Sequence, residues 1–117
     1  MENKVKTITL RFGAANKGIF DAIKNGAKKV ETRAATIKFR NIKAGDSVVL
    51  SCGSQKFEKR VRSACIFKTV RAMLRKYKPK EINPATSTES ELMDMYYGFP
   101  GYRDKIKRFG LITLELE

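Results

Sequence analysis

The sequence predicts an α+β domain, a small mixed β-barrel with a few flanking helices, and three observations predict it. The first and last strand-like stretches, Thr7 to Phe12 and Leu111 to Glu117, both alternate apolar and polar residues, as suits termini that close a small barrel. Between them the apolar period changes from two residues to helical spacing and back, with no βαβ repetition. The 117 residues contain no long linker and no repeat, so residues 1–117 read as one domain, long enough to bury a core without a metal or disulfide framework.

In chain order, Ile8, Leu10 and Phe12 share one face of the first strand, and Thr7, Thr9 and Arg11 the other. Asn16 can cap a helix to about Asn25 with Ile19, Phe20 and Ile23 as its stripe. Gly26 fits the position just past that helix, where a positive φ costs glycine nothing. Ala34 to Arg40 carries an alternating Ile37/Phe39 pair, and Lys43 to Asp46 reads as a turn. Ser47 to Cys52 and Phe57 to Phe67 are strands joined through Gly53-Ser54, with Phe57, Val61, Cys65 and Phe67 on one face of the second. Glu58, Arg60 and Arg62 share the other face. Val70, Met73, Leu74 and Tyr77 give a helical stripe over Thr69 to Tyr77 that Pro79 ends. Residues 79–87 read as a loop. Thr88-Glu89-Ser90-Glu91 matches a capping box ahead of Leu92, Met95 and Tyr96, with Gly98 as the stop. Tyr102 to Phe109 is short and helical or irregular. The sum is about five strands and two or three helices.

Charge is the strongest global feature: 25 Lys and Arg against 12 Asp and Glu, a net +13. The excess is regional, with 21 bases and 5 acids through Lys80 and 4 bases and 7 acids beyond it. Such a balance suits a polyanion, because Lys and Arg gain by releasing counterions from phosphates; a solubilising surface is the plainer alternative. Arg71, Arg75 and Lys78 form a basic ridge, either solvated or a phosphate contact line, and Arg60 and Arg62 are further peripheral candidates. No apolar run approaches the ~18 residues of a membrane span. MENKVKTITL has no leader-like apolar segment, so the expected compartment is the cytoplasm. With no histidine there is no His triad and no His metal ligand. Cys52 and Cys65 are not a zinc set and read as small buried hydrophobes, with a disulfide or reactive thiol as the other possibility. No metal and no cofactor is expected.

The densest chemistry lies in Gly26-Ala27-Lys28-Lys29-Val30-Glu31-Thr32-Arg33. On an extended chain Glu31 and Arg33 point to one side and Thr32 to the other. Lys28 offers a point charge and Arg33 a planar fork to phosphate or a base edge. Glu31 can accept from an exocyclic amine or a ribose hydroxyl. Tyr96, Tyr97 or Tyr102 can stack a base. A Glu31–Arg33 ion pair that pins the loop is compatible with either use. Lys28 with a depressed pKa could instead act as base or nucleophile, with Glu31 or Glu81 moving a proton. A protein-interaction role would require an exposed apolar patch.

The spacing Gly26-x-Lys28-x-x-Glu31-x-Arg33 after a first helix resembles the ASCH family of PUA-like β-barrels. So do Lys43-Ala44-Gly45-Asp46-Ser47-Val48, the Thr88 to Tyr96 helix, the Phe99-Pro100-Gly101-Tyr102 turn and the closing strand. The resemblance implies a five- or six-stranded barrel with a cleft beside the motif for RNA, single-stranded, or a nucleotide. Lys28, Glu31, Arg33, Arg11 and Tyr102 would be the contacts. Some small members resemble hydrolases, one subgroup acting on N4-acylated cytidine and another described as cleaving RNA. In the amidohydrolase subgroup the motif lysine, matching Lys28, is catalytic. There a threonine stands where this chain has Glu31, and a further glutamate lies upstream of the late helix, where Glu81 is nearest. The resemblance leaves both binding and metal-independent hydrolysis as expectations, and it leaves the oligomeric state open.

Overall fold

A computed structural model describes residues 5–117. Residues 1–4, part of the stretch in which no leader was expected, lie outside the described residues. Five strands run in the order β1 (Thr7–Phe12), β3 (Ser47–Cys52), β4 (Gln55–Phe67), β5 (Leu111–Leu116), β2 (Val30–Ala34). β1 lies parallel to β3, and every other pairing is antiparallel. The sheet curves into a half barrel whose inner face buries Leu10, Phe20, Val48, Leu50, Val61 and Leu114. A second apolar cluster, including Met73, Ile82, Leu92, Tyr96 and Ile106, packs the helices against Val30 and Leu111.

The terminal strands do not meet. β1 is one edge and β2 the other, while β5 lies between β4 and β2. Strand order is set by long-range pairing, which alternation within a strand does not encode.

α1 (Lys17–Lys24) follows a one-turn 3₁₀ segment and buries Phe20 and Ile23. Asn16 stands at its N-cap, though its side chain caps no N–H. α2 is a single turn, Val70–Met73, capped by Thr69. The expected helix to Tyr77 gives way to turns after Met73, yet Val70, Met73 and Tyr77 are buried as their spacing required. Pro79 opens a one-turn helix, α3 (Pro79–Ile82), within what read as loop, since its fixed φ suits a first helical position. α4 (Glu89–Gly98) starts at Thr88, whose Oγ1 accepts from Glu91 N at 3.1 Å. The Glu91 carboxylate returns to Ser87 N, one residue earlier than a capping box requires. Gly98 is the last residue of α4. α5 (Tyr102–Phe109) leads into β5 through Gly110, whose φ is +80°. A Cβ there would lie 2.5 Å from the Phe67 carbonyl oxygen, so only glycine lets the chain enter beside β4. Ile37 to Asn41 is a run of turns in place of an extended Ile37/Phe39 pair, and Ile37 is exposed.

A register shift between Val61 and Ser63 marks a β-bulge in β4. It changes which residues face inward. Val61 and Ala64, three apart, pack on the inner core, while Phe67 joins the helical cluster. Cys65, expected as a buried hydrophobe, is exposed for that reason; Cys52 is buried, and both are free thiols.

Candidate functional site

The site begins at the end of α1. Asn25 N bonds Asp21 O, Gly26 N bonds Ile23 O and Lys28 N bonds Ala22 O, while Asn25 Oδ1 accepts from Ala27 N. Gly26 has φ +86°, so the helix ends in a tight left-handed turn that sends Lys28 inward. The Lys28 side chain is only 1% exposed. Its Nζ donates to the Val30 carbonyl and, at 3.2 Å, to Glu31 Oε1.

β2 then presents its free edge. Its N–H groups on that side are taken by side chains, Thr32 N by Glu31 Oε1 at 3.0 Å and Ala34 N by the Tyr102 hydroxyl at 3.0 Å. Arg33 spans the gap to β1. Its Nε and Nη2 both stand 3.3 Å from Glu31 Oε2, and Nη2 donates to the Arg11 carbonyl at 3.1 Å. The guanidinium lies 4.7 Å from the Phe12 ring centre and 5.9 Å from that of Phe39. The two sheet edges are thus bridged by side chains in place of a backbone ladder, and a cavity of about 230 Å³ occupies the gap.

Lys28, Glu31, Thr32 and Arg33 line this cavity from β2 and the turn before it; Arg11, Phe12, Asn16 and Ile19 line it from β1 and the α1 side. Ile82, Met95, Tyr96, Phe99 and Tyr102 close it from the helices. Tyr96 and Tyr102 are parallel, with ring centres 6.2 Å apart, and Phe99 packs edge-on to Tyr102 at 5.3 Å. Burial pushes the Tyr96 and Tyr102 hydroxyls up from their ordinary pKa, so both stay protonated donors. Burial also lowers the Lys28 pKa, opposed by Glu31 and assisted by Arg33.

Five residues expected in one site, Lys28, Glu31, Arg33, Arg11 and Tyr102, therefore line one cavity. Thr32, expected to point away, is in the same wall, where its hydroxyl bonds the Tyr96 hydroxyl. Alternation separates two faces of a strand, but the cavity runs along the open edge and reaches both. Glu81 is elsewhere: it is exposed, and its carboxylate accepts from Lys78 N at 2.9 Å, capping α3, while its neighbour Ile82 enters the cavity wall. Tyr97 also lies outside, with Arg103 stacked on it at 5.1 Å.

Arg60, Arg62, Arg71 and Arg75 are exposed, and none lines this cavity. Arg71 pairs with Glu89 at 3.2 Å. Because α2 stops at Met73, Arg71, Arg75 and Lys78 fall on different elements and form no single helix face. Among the described residues no three His, Cys, Asp or Glu side chains cluster as a metal site would require, and no helix is long and apolar enough to cross a membrane.

The apolar wall from Phe12, Ile19, Ile82, Met95 and Phe99 was not legible as a site. A residue facing a cavity and one facing a packed core carry the same periodic signal.

The chain superposes on the crystal structure of hypothetical protein PH0355 with a TM-score of 0.81 over 95% of this chain and 97% of that one, at 24% identity. It also superposes on the solution structure of protein PF0455 from Pyrococcus furiosus, with a TM-score of 0.70 over 97% and 96%, at 26% identity. These likenesses are of fold, and they run over nearly the whole of each chain. No family model matches the chain, and no curated protein matches its sequence.

Proposed function

We propose that this chain is an RNA- or nucleotide-binding domain of the ASCH type, taking one base or sugar of its ligand into the cavity between β1 and β2. The observation that carries this reading is the buried Lys28–Glu31–Arg33 array in a cavity wall shared with Phe99 and Tyr102. At about 230 Å³ the cavity is smaller than the 300–1,000 Å³ typical of drug-sized ligands, so it suits a single base or sugar. Recognition would use groups the array leaves available. Lys28 keeps one ammonium proton beyond its two bonds, and Arg33 Nη1 has no protein partner among the described residues. Glu31 fixes both cations, so they meet a ligand already oriented. The aromatic rings supply a face for the base, and the exposed Arg11 adds a further cation to the cavity wall.

Fluorescence polarisation with short single-stranded RNA, repeated across salt concentrations, tests the reading. Affinity falls steeply with salt, and Arg33→Ala weakens binding at least about tenfold while Arg75→Ala changes it little. A flat salt response, or equal effects of the two substitutions, would count against it.

A second reading has one observation in its favour: Lys28 is buried, its pKa is lowered, and it stands 3.2 Å from a carboxylate. That arrangement suits a small metal-independent hydrolase with Lys28 as base or nucleophile and Glu31 as proton carrier. Glu81 drops out of such a mechanism because its carboxylate caps α3. The enzyme would release acetate from N4-acetylcytidine, or cut RNA, without added metal, and Lys28→Ala would abolish it. No turnover at high protein concentration removes this reading and leaves binding.

A further inference from the structure

Lys28 lies in the wall of two cavities. The second, of about 170 Å³, opens where β2 begins, β5 ends and β4 bulges. Lys29, Lys59 and Arg62 line it together with Glu117. Among the described residues Lys29, Lys59 and Arg62 form no ion pair. The nearby acid Glu115 is already engaged by the Tyr77 hydroxyl and stands 3.8 Å from Lys76 Nζ. Three cations without an ion pair therefore face a concave space whose one acidic lining residue is Glu117.

The bulge is what assembles them. On a regular strand Lys59 and Arg62, three apart, would project to opposite faces. The register shift between Val61 and Ser63 lets both reach the same cavity, while Arg60 does not line it. Bulges commonly re-aim a side chain in this way. Lys29 is fixed from the other side, because its carbonyl accepts from Leu116 N at 2.8 Å. Arg60 and Glu117 exchange backbone hydrogen bonds at 3.0 and 2.9 Å, which ties the end of the chain to β4 beside the cavity.

We infer that this second cavity is a phosphate site, with Arg62 as a planar fork and Lys29 and Lys59 as point charges. The inference rests on the proposed function in one respect: it makes the ligand of the first cavity a phosphorylated one, a nucleotide or an RNA backbone segment, with Lys28 between its base and its phosphate. The phosphate site itself stands without that link.

An NMR titration of the full chain with inorganic phosphate, matched for ionic strength with sodium chloride, tests the site. Phosphate produces saturable amide shifts confined to Lys29, Lys59 to Arg62 and Glu117, and chloride does not. The double substitution Lys59→Gln/Arg62→Gln weakens phosphate binding at least about tenfold, while Lys80→Gln/Arg75→Gln leaves it unchanged. Shifts spread over the whole basic surface, or a double variant that binds as the parent does, would overturn the site. A parallel comparison separates the sources of phosphate. A nucleoside 5′-monophosphate binding about tenfold tighter than its nucleoside, an advantage lost in Lys59→Gln/Arg62→Gln, supports the mononucleotide source. The same advantage seen only for a short RNA supports the backbone source. Equal affinities throughout would overturn the link between the cavities. Phosphate bound at the second cavity with no nucleoside or nucleotide bound at the first would remove the reading of the first cavity and leave this site standing.

Discussion

Asp46 and Glu31 are both carboxylates taken almost wholly out of water, and they are satisfied in opposite ways. Asp46 sits in the turn before β3. Its Oδ1 accepts from Lys6 N and its Oδ2 from Lys43 N, each at 3.0 Å, so it ties the approach to β1 onto the turn. Glu31 sits on an open sheet edge beside a cavity and is held mainly by the side chains of Lys28 and Arg33. Backbone donors suit an acid whose task is to fix the chain, because they cannot leave it. Side-chain cations beside empty space can hold the acid and still offer protons to something else. A buried ion pair is weak evidence for stability, since desolvation offsets much of the attraction. Its position beside a cavity is what points to function.

The largest expected effect tests whether the Glu31 array behaves as a coupled unit. Glu31→Ala leaves a buried Lys28 ammonium without its partner and costs about 3 kcal/mol of stability in urea denaturation. Adding Lys28→Met recovers most of that loss, because an apolar side chain of similar length has no charge to strand. A single substitution costing less than about 1 kcal/mol, or a double variant no better than the single, would show that Glu31 does not hold Lys28.

The Asp46 side of the comparison gives an intermediate effect. Asp46→Ala costs about 2 kcal/mol by removing hydrogen bonds to two backbone donors. Burial pushes the Asp46 carboxyl up, but the Lys6 and Lys43 N–H groups outweigh it, and its pKa falls below the ordinary 3.8. A depressed acid stabilises the fold fully above its unfolded pKa and loses that contribution as pH falls through the folded one. The gap between parent and variant, measured from about pH 5 to about pH 2, should therefore narrow only below 3.8. A gap independent of pH would mean that Asp46 acts by packing alone.

The smallest effect concerns Lys28. Its lowered pKa means that, between the folded value and the unfolded 10.5, the unfolded chain keeps a proton that the folded one has lost. Stability then rises with pH across that window, and Lys28→Met lacks the rise. Equal slopes for the two proteins would mean that Lys28 stays charged despite its burial.

Much of the site's chemistry was legible because it is local. Lys28, Glu31 and Arg33 span six residues of one turn and strand, so helix ending and strand alternation were enough to bring them together. Arg11 and Tyr102 come from distant segments that no spacing rule ties to the motif; Tyr102 was one of three tyrosines that could stack a base. Glu81 was misplaced because its sequence position resembles a catalytic one, while the helix it caps starts at Pro79 and uses its carboxylate. Cys65 was assigned to the wrong face because of the bulge, which nothing in an alternating pattern announces.

By itself the sequence determined the stretches of β1, β3, β4 and β5, the helical stripes, the regional positive charge and the charged motif after Gly26. Each follows from burial or backbone conformation acting within a few residues. Only the tertiary structure decided that β1 and β2 are the two edges, that Arg33 bridges them to leave a cavity, and that a bulge gathers Lys59 and Arg62 beside Lys29. Those outcomes depend on which strand pairs with which, and in what register. The whole core decides that, because a shift of one residue would turn every side chain to the other face.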